Sequence, residues 1–144
     1  MVNILLLSHG PFCEGLLASL QMIVGPQKQI YAIQLHPGQS PDDYRDKISD
    51  VLVEMVGDTI VFCDIKGGTP YNSAGFLKNK YSFTLITGMN LPMLISVATV
   101  RNEKTTVKEL TNIALDKMSA GIELINLSLG GERKHAKLSL NKNR

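Results

Sequence analysis

In the stretch VNILLLSHGP, residues 2–11, an apolar run leads into a polar turn and a proline. This stretch is the clearest indication of the fold. An apolar run of strand length without alternation is typical of a strand that is covered on both faces, as in a parallel sheet. Pro11 stands at a favoured first position of a helix, and apolar residues then recur at helical spacing as far as Gly25. The stretch therefore predicts a buried strand followed by a helix.

The same strand-then-helix pattern recurs along the chain. Three further strands are predicted, over residues 29–35, 59–64 and 82–87. Four further helices are predicted, over residues 40–57, 70–80, 91–100 and 106–121. Strands that alternate with helices predict an α/β fold with an open, mostly parallel sheet and helices on both faces. The expected strand order is the flavodoxin-like order 2-1-3-4.

The C-terminal part of the chain departs from this pattern. In IELINLSL, residues 122–129, apolar and polar residues alternate, which is typical of a half-exposed edge strand. Residues 130–144 contain five Lys or Arg and one Glu, a local charge of +4. We therefore predict one domain over residues 1–129, followed by a basic, flexible tail over residues 130–144.

Composition and charge exclude several classes of protein. A length of 144 residues fits one domain, and no apolar run approaches the ~20 residues of a membrane-spanning helix. The N-terminus lacks the features of a signal peptide, and Cys13 and Cys63 fall at core positions as buried thiols, so we expect a cytoplasmic protein. Residues 1–129 hold 10 Lys and Arg against 12 Asp and Glu, a charge of −2, so the overall +2 comes from the tail. We expect no nucleic-acid partner.

Unusual polar residues follow three of the predicted strands. Strand 1 ends at His9, strand 3 at the stretch 64–70, and strand 4 at the stretch 88–90. In open parallel sheets, ligands bind beyond the carboxyl ends of the strands. If strands 1, 3 and 4 are neighbours, His9 and Asp64 converge there. The carboxylate would take one ring N–H and leave the other ring nitrogen free to attack as a nucleophile.

The residues around this pair suit an anion. Gly67 and Gly68 allow a close approach of the backbone, whose successive N–H groups can bind an anion. Thr69 adds a hydroxyl donor, and the helix that begins at Pro11 turns its positive end toward the same place. The sequence therefore predicts a site for a phosphoryl group carried on a histidine, with no need for a metal or an organic cofactor.

Three stretches together resemble a known family: His9-Gly10, DIKGGTP at 64–70 and GMNLPML at 88–94. In this order, and each at the end of a predicted strand, they are similar to the IIA component of the mannose family of the bacterial sugar phosphotransferase system. The resemblance extends over roughly residues 1–129. Each motif is common by itself, whereas the three in sequence are fairly specific.

The resemblance implies a phosphotransferase that relays phosphoryl groups during sugar uptake. His9 would be the phosphorylated residue, Asp64 its orienting partner, and Thr69 with the glycine loop a phosphate contact. The phosphocarrier protein HPr would supply the phosphoryl group, and a separate IIB component would accept it and connect to the membrane components IIC and IID. It also implies a homodimer in which the C-terminal strand, residues 122–129, pairs with the partner's sheet.

Other functions stay open from the residues alone. A non-catalytic sensor or anion-binding module would hold phosphate without a covalent intermediate. A phosphocarrier subunit of a dihydroxyacetone kinase would share the fold, but the intact GGTP and NLPML stretches disfavour it. A histidine phosphatase would carry an arginine directly before the histidine, where Ser8 stands here.

Several residues near the predicted site allow two interpretations. Lys66 stands where family members often carry an apolar residue, and it faces either solvent or the incoming phosphoryl carrier. Phe12 and Met89 either dock a partner or pack in the core. His36 is interpreted as a turn residue at the end of strand 2, on the rim of the site.

Overall fold

The sheet has four parallel strands in the order β2-β1-β3-β4 in a computed structural model that describes residues 1–128. The strands are β1 (Asn3–His9), β2 (Ile30–Leu35), β3 (Thr59–Cys63) and β4 (Thr84–Thr87). The helices are α1 (Phe12–Val24), α2 (Pro41–Glu54), α3 (Gly68–Leu77), α4 (Leu91–Val100), α5 (Val107–Leu115) and α6 (Lys117–Ala120). The predicted α/β class and strand order are confirmed.

Helices cover the sheet on both faces, which explains the unbroken apolar run in β1. Ile4 and Leu6 pack with residues of α1, α4 and α5, whereas Leu5 and Leu7 pack with residues of α2 and α3. All four leucine and isoleucine side chains are almost fully buried. Because successive side chains of a strand point to opposite faces, a central strand between two helical layers buries both sets of side chains, which is why residues 4–7 are apolar without alternation.

Side-chain caps fix where two helices begin beside the carboxyl edge of the sheet. The Ser40 hydroxyl accepts a hydrogen bond from the Asp43 amide at the start of α2. The Asn90 side chain accepts one from the Met93 amide, 3.0 Å away, at the start of α4. Such caps satisfy amides that a helix leaves unpaired at its first turn, so they hold the preceding loops in place.

The last predicted helix, over residues 106–121, is divided in two. Its capping box is present, since Thr106 and Glu109 bond reciprocally. At Asp116 the backbone is extended, with φ −68° and ψ 135°, and the aspartate side chain accepts a hydrogen bond from the Met118 amide. Asp116 thus ends α5 and caps α6, because a short carboxylate competes with the helical backbone for its own amides.

The C-terminal segment does not pair with the sheet of its own chain. Residues 121–128 form no strand, and the side chains of Ile122, Leu124, Ile125 and Leu127 are exposed. The predicted edge strand is therefore not formed within one chain, because the segment contacts neither open edge, β2 or β4, as a strand. The predicted tail over residues 130–144 lies outside the described residues.

The two cysteines are buried thiols, as the sequence predicts. Cys13 lies in the layer on the α1 side of the sheet and Cys63 in the layer on the α2 side. Burial raises the pKa of both thiols, that of Cys63 to about 12. Both therefore stay protonated at neutral pH and serve as packing residues.

Within residues 1–128, no helix is both long and apolar enough to cross a membrane.

Candidate active site

His9 and Asp64 meet at the carboxyl edge of the sheet, as predicted. The pairing of Leu7 with Cys63 between β1 and β3 places the two residues at neighbouring strand ends. The His9 ring nitrogen Nδ1 lies 2.7 Å from Oδ2 of Asp64. The backbone amide of His9 donates a second hydrogen bond to the same oxygen, at 2.9 Å. The carboxylate therefore holds both the backbone and the ring of the histidine.

This geometry decides which ring nitrogen is available for chemistry. An ionised carboxylate only accepts hydrogen bonds, so Nδ1 carries the proton that points to Asp64. The neutral ring then has its lone pair on Nε2. The His9 side chain is 46% exposed and Asp64 is only 13% exposed, so the nitrogen opposite the carboxylate can be reached from solvent. This geometry is suited to nucleophilic attack by Nε2.

Hydrogen bonds hold Asp64 in its charged form. Partial burial raises the pKa of the carboxyl, but the bonds from the His9 amide and ring and from the Ile65 amide outweigh it, so the pKa lies below its usual value of 3.8. Acceptance of several N–H bonds favours the carboxylate. Asp64 is therefore ionised throughout the neutral range.

Replacement of Asp64 by asparagine should destabilise the protein in a pH-dependent way. Because its pKa is lowered by folding, the carboxylate contributes stability above about pH 3.8, and that contribution is lost as the pH falls through the lower folded value. We expect Asp64→Asn to lose about 1–2 kcal/mol of unfolding free energy near neutral pH, a modest value because the site is partly solvated. Urea denaturation at about pH 7 and at about pH 3 measures it. An equal loss at both pH values would contradict this role.

Ser8 is a positioning residue that the sequence analysis did not identify. Its side chain is fully buried, and its hydroxyl donates to the Gly10 carbonyl at 2.9 Å and accepts from the Cys13 amide at 2.8 Å. It thereby ties the end of β1 to the first turn of α1, on either side of His9. The sequence signals this role only by a serine directly before the histidine. The hydrogen-bond partners of that serine are backbone atoms, which a sequence pattern does not reveal.

The glycine loop lies against the free side of the histidine. Gly67 and Gly68 both have positive φ, 84° and 85°, and α3 begins at Gly68. A Cβ atom on Gly68 would lie 3.0 Å from both Nε2 and Cε1 of His9, whereas one on Gly67 would meet nothing within 4 Å. The structure thus brings the Gly68 backbone beside Nε2 of His9, and Gly67 precedes it in the chain. Thr69 follows in the first turn of α3 and is half-buried.

The remaining residues named from the sequence divide between surface and core. Phe12 is 47% exposed at the start of α1, beside the His9 turn, whereas Met89 is 3% exposed and belongs to the core. Lys66 and His36 are exposed on loops that follow β3 and β2, respectively.

In residues 1–128, no three His, Cys, Asp or Glu side chains are grouped so that they could hold a metal ion.

Comparison with known proteins identifies the family. Residues 3–115 match the EIIA-man family model, described as the PTS system fructose IIA component. The PTS system fructose-specific EIIA component of Bacillus subtilis is 30% identical over 115 residues, which cover 78% of each chain. The PTS system mannose-specific EIIAB component of Escherichia coli is 25% identical over 127 residues, 86% of this chain and 39% of that protein. This chain thus corresponds to about two fifths of such EIIAB proteins.

A solved structure agrees with these matches. The mannose/sorbose specific IIA subunit of a phosphotransferase system from Enterococcus faecalis superimposes with a TM-score of 0.78 at 30% identity. The superposition covers 88% of this chain and 96% of the other. The likeness therefore extends over most of the chain and shows the same fold.

Proposed function

Because this chain belongs to the EIIA-man family of phosphotransferase-system IIA components, we propose that it relays phosphoryl groups during sugar uptake by carrying them on His9. The observation that supports this most directly is the hydrogen bond of 2.7 Å between Nδ1 of His9 and Asp64. It leaves Nε2 as the nucleophile, at the exposed edge of the sheet and beside the Gly68 backbone. We assign His9 as the catalytic nucleophile and Asp64 as the residue that orients it.

The first transfer is a displacement at phosphorus. The phosphocarrier protein HPr presents its phosphohistidine, and the lone pair of His9 Nε2 attacks the phosphorus atom. The new N–P bond forms as the N–P bond of the donor breaks, and the electron pair of the broken bond stays on the donor ring. Asp64 keeps its bond to Nδ1–H and stabilises the positive charge that the His9 ring acquires. Positioning and charge are the protein's main contributions.

The second transfer runs in the same way toward a separate IIB component. A histidine-type acceptor on IIB attacks the phosphorus atom on Nε2, and the electron pair returns to His9. Both the bond broken and the bond formed are N–P bonds, so each step is close to thermoneutral and reversible. IIB then connects the phosphoryl relay to the membrane components IIC and IID.

The glycine loop is suited to bind the phosphoryl oxygens. Gly67 precedes α3 without a side chain to cap it, so it leaves the first amides of α3 uncapped at its positive end. Gly68 lies beside Nε2, and Thr69 supplies a hydroxyl in the same turn. We propose that Gly67, Gly68 and Thr69 hold the phosphoryl group through backbone N–H groups and this hydroxyl.

We further propose that residues 1–129 form the functional unit and that the chain acts as a homodimer. The family match over residues 3–115 lies within that unit. The apolar side chains of Ile122, Leu124, Ile125 and Leu127 are exposed, so they are available for the sheet of a second copy. Light scattering tests the dimer, and the mass of a single 15.8 kDa chain would contradict it.

Incubation with phosphorylated HPr tests the proposed function. We expect a single phosphoryl group on the protein, stable in alkali and labile in acid, that is removed when a cognate IIB component is added. A protein that binds phosphate but never becomes covalently labelled would instead be an anion-binding module. An acid-stable label would mean an ester on a hydroxyl group, and it would equally contradict the proposal.

A further inference from the structure

We infer that Lys66 binds the phosphoryl group on His9 and sets how strongly the protein retains it. This inference rests on the proposed function, and it deepens it by assigning a charge-compensating residue to the phosphorylated state.

The first observation is where Lys66 lies in the loop. Asp64, two residues before it, holds Nδ1 of His9, and Gly68, two residues after it, borders Nε2. Two residues of chain span at most ~7 Å, so the Lys66 Cα lies within ~7 Å of the Gly68 backbone that borders Nε2. A lysine has a flexible four-carbon stem and three donors at its end, which lets it turn toward a group bound to Nε2.

The second observation is that the lysine is exposed and uncommitted. Its side chain has no hydrogen bond, ion pair or ring contact with the residues that the structure describes, in contrast to Lys78, which donates to the Phe83 carbonyl at 2.6 Å. Formation of a contact with a phosphoryl group would therefore break no existing bond. Its cost is limited to ordering the side chain.

The third observation is the charge at this edge of the sheet. Four loops follow the strands at this edge, over residues 10–11, 36–40, 64–67 and 88–90. Lys66 is the one Lys or Arg in these four loops. A phosphoryl group adds a charge of about −2 beside the Asp64 carboxylate, which is kept ionised. Without Lys66, repulsion between these groups favours release of the phosphoryl group. Lys66 offsets that repulsion through a charge-assisted hydrogen bond.

This role predicts an effect on an equilibrium constant. The equilibrium of phosphoryl exchange between HPr and this protein depends on the free energies of the separate proteins, and it is independent of how they dock. A lysine that stabilises the phosphorylated form must therefore change this constant. If the lysine merely contacts the partner during transfer, its replacement would slow the forward and reverse reactions equally and leave the equilibrium constant unchanged.

Lys66→Gln, Lys66→Arg and Lys108→Gln test the inference in exchange with phosphorylated HPr. Lys108→Gln is the matched control, because this exposed lysine follows Val107, which lies near Gly57 and Thr59 at the opposite end of the sheet. We expect Lys66→Gln to lower the exchange equilibrium constant about fivefold at low ionic strength, and much less at about 0.5 M salt. Lys66→Arg should retain most of the wild-type value, and Lys108→Gln all of it.

Two results would overturn the inference while leaving the proposed function intact. In the first, Lys66→Gln has the wild-type equilibrium constant and wild-type rates. In the second, it has the wild-type constant with both rates lowered in proportion, which would assign Lys66 to the docking surface. A wild-type protein that accepts no phosphoryl group would contradict the proposed function itself, so the two failures are distinguishable.

Discussion

Replacement of His9 by alanine is expected to abolish phosphoryl uptake from phosphorylated HPr, with a loss of at least ~10³-fold. The reason is that no other histidine in the described residues is oriented in the same way to accept the phosphoryl group. The His9 side chain is 46% exposed while its Nδ1 is held by Asp64, and no other histidine in the described residues has a carboxylate at its ring. The measurement is the rate and final extent of labelling, followed by autoradiography or by intact mass.

His36→Ala is the matched control for this variant. His36 is exposed on the loop after β2, at the same edge of the sheet, and its backbone amide is bonded to the Gln39 side chain. We expect the labelling rate of His36→Ala to stay within about twofold of wild type, because the ring lacks an orienting partner. Label retained in His9→Ala, or lost in His36→Ala, would move the acceptor away from His9.

Replacement of Gly68 by alanine is expected to slow phosphoryl transfer by about 10²-fold. The added Cβ would lie 3.0 Å from Nε2 and Cε1 of His9, so either the ring or the loop must move. A displacement of this kind at the reacting atom is costly because transfer requires an aligned approach to phosphorus. The positive φ of 85° adds about 1–2 kcal/mol of backbone strain, which lowers the free energy of unfolding.

Gly67→Ala separates these two effects. Gly67 has nearly the same φ, 84°, but a Cβ there would meet nothing within 4 Å. We expect both variants to lose stability in urea denaturation, and only Gly68→Ala to lose transfer activity strongly. If the two variants were equally impaired in transfer, loop strain rather than closeness to Nε2 would explain the requirement for glycine.

The sequence predicted the pairing of His9 and Asp64 because strand positions are encoded by simple periodicity. The unbroken run before His9 requires cover on both faces, and the residue after a parallel strand must lie at the carboxyl edge. The glycine loop was predictable for the same reason. Its closeness to Nε2 of His9 was not, since a distance of this kind depends on how α3 packs against the sheet.

Other features depend on interactions that a sequence pattern does not contain. The period of apolar residues continues across Asp116, so the break between α5 and α6 is visible only through the hydrogen bond of its side chain. Met89 follows a strand end like a surface residue but is buried under α4. Residues 122–129 show the alternation of a strand, yet the described residues 121–128 form no strand, because a strand also needs a neighbouring strand with which to form its ladder of hydrogen bonds.

The position of the phosphoryl group on the His9 ring shows whether the contact with Asp64 selects the attacking nitrogen. Freshly phosphorylated protein, kept alkaline, is measured by phosphorus NMR, and its peptides are sequenced by mass spectrometry. We predict one phosphohistidine, at His9, with phosphorus bonded to Nε2, because Nδ1 is held by Asp64. Phosphorus on Nδ1 of His9, or on any other residue, would contradict the claim that the Asp64 contact selects the nucleophile.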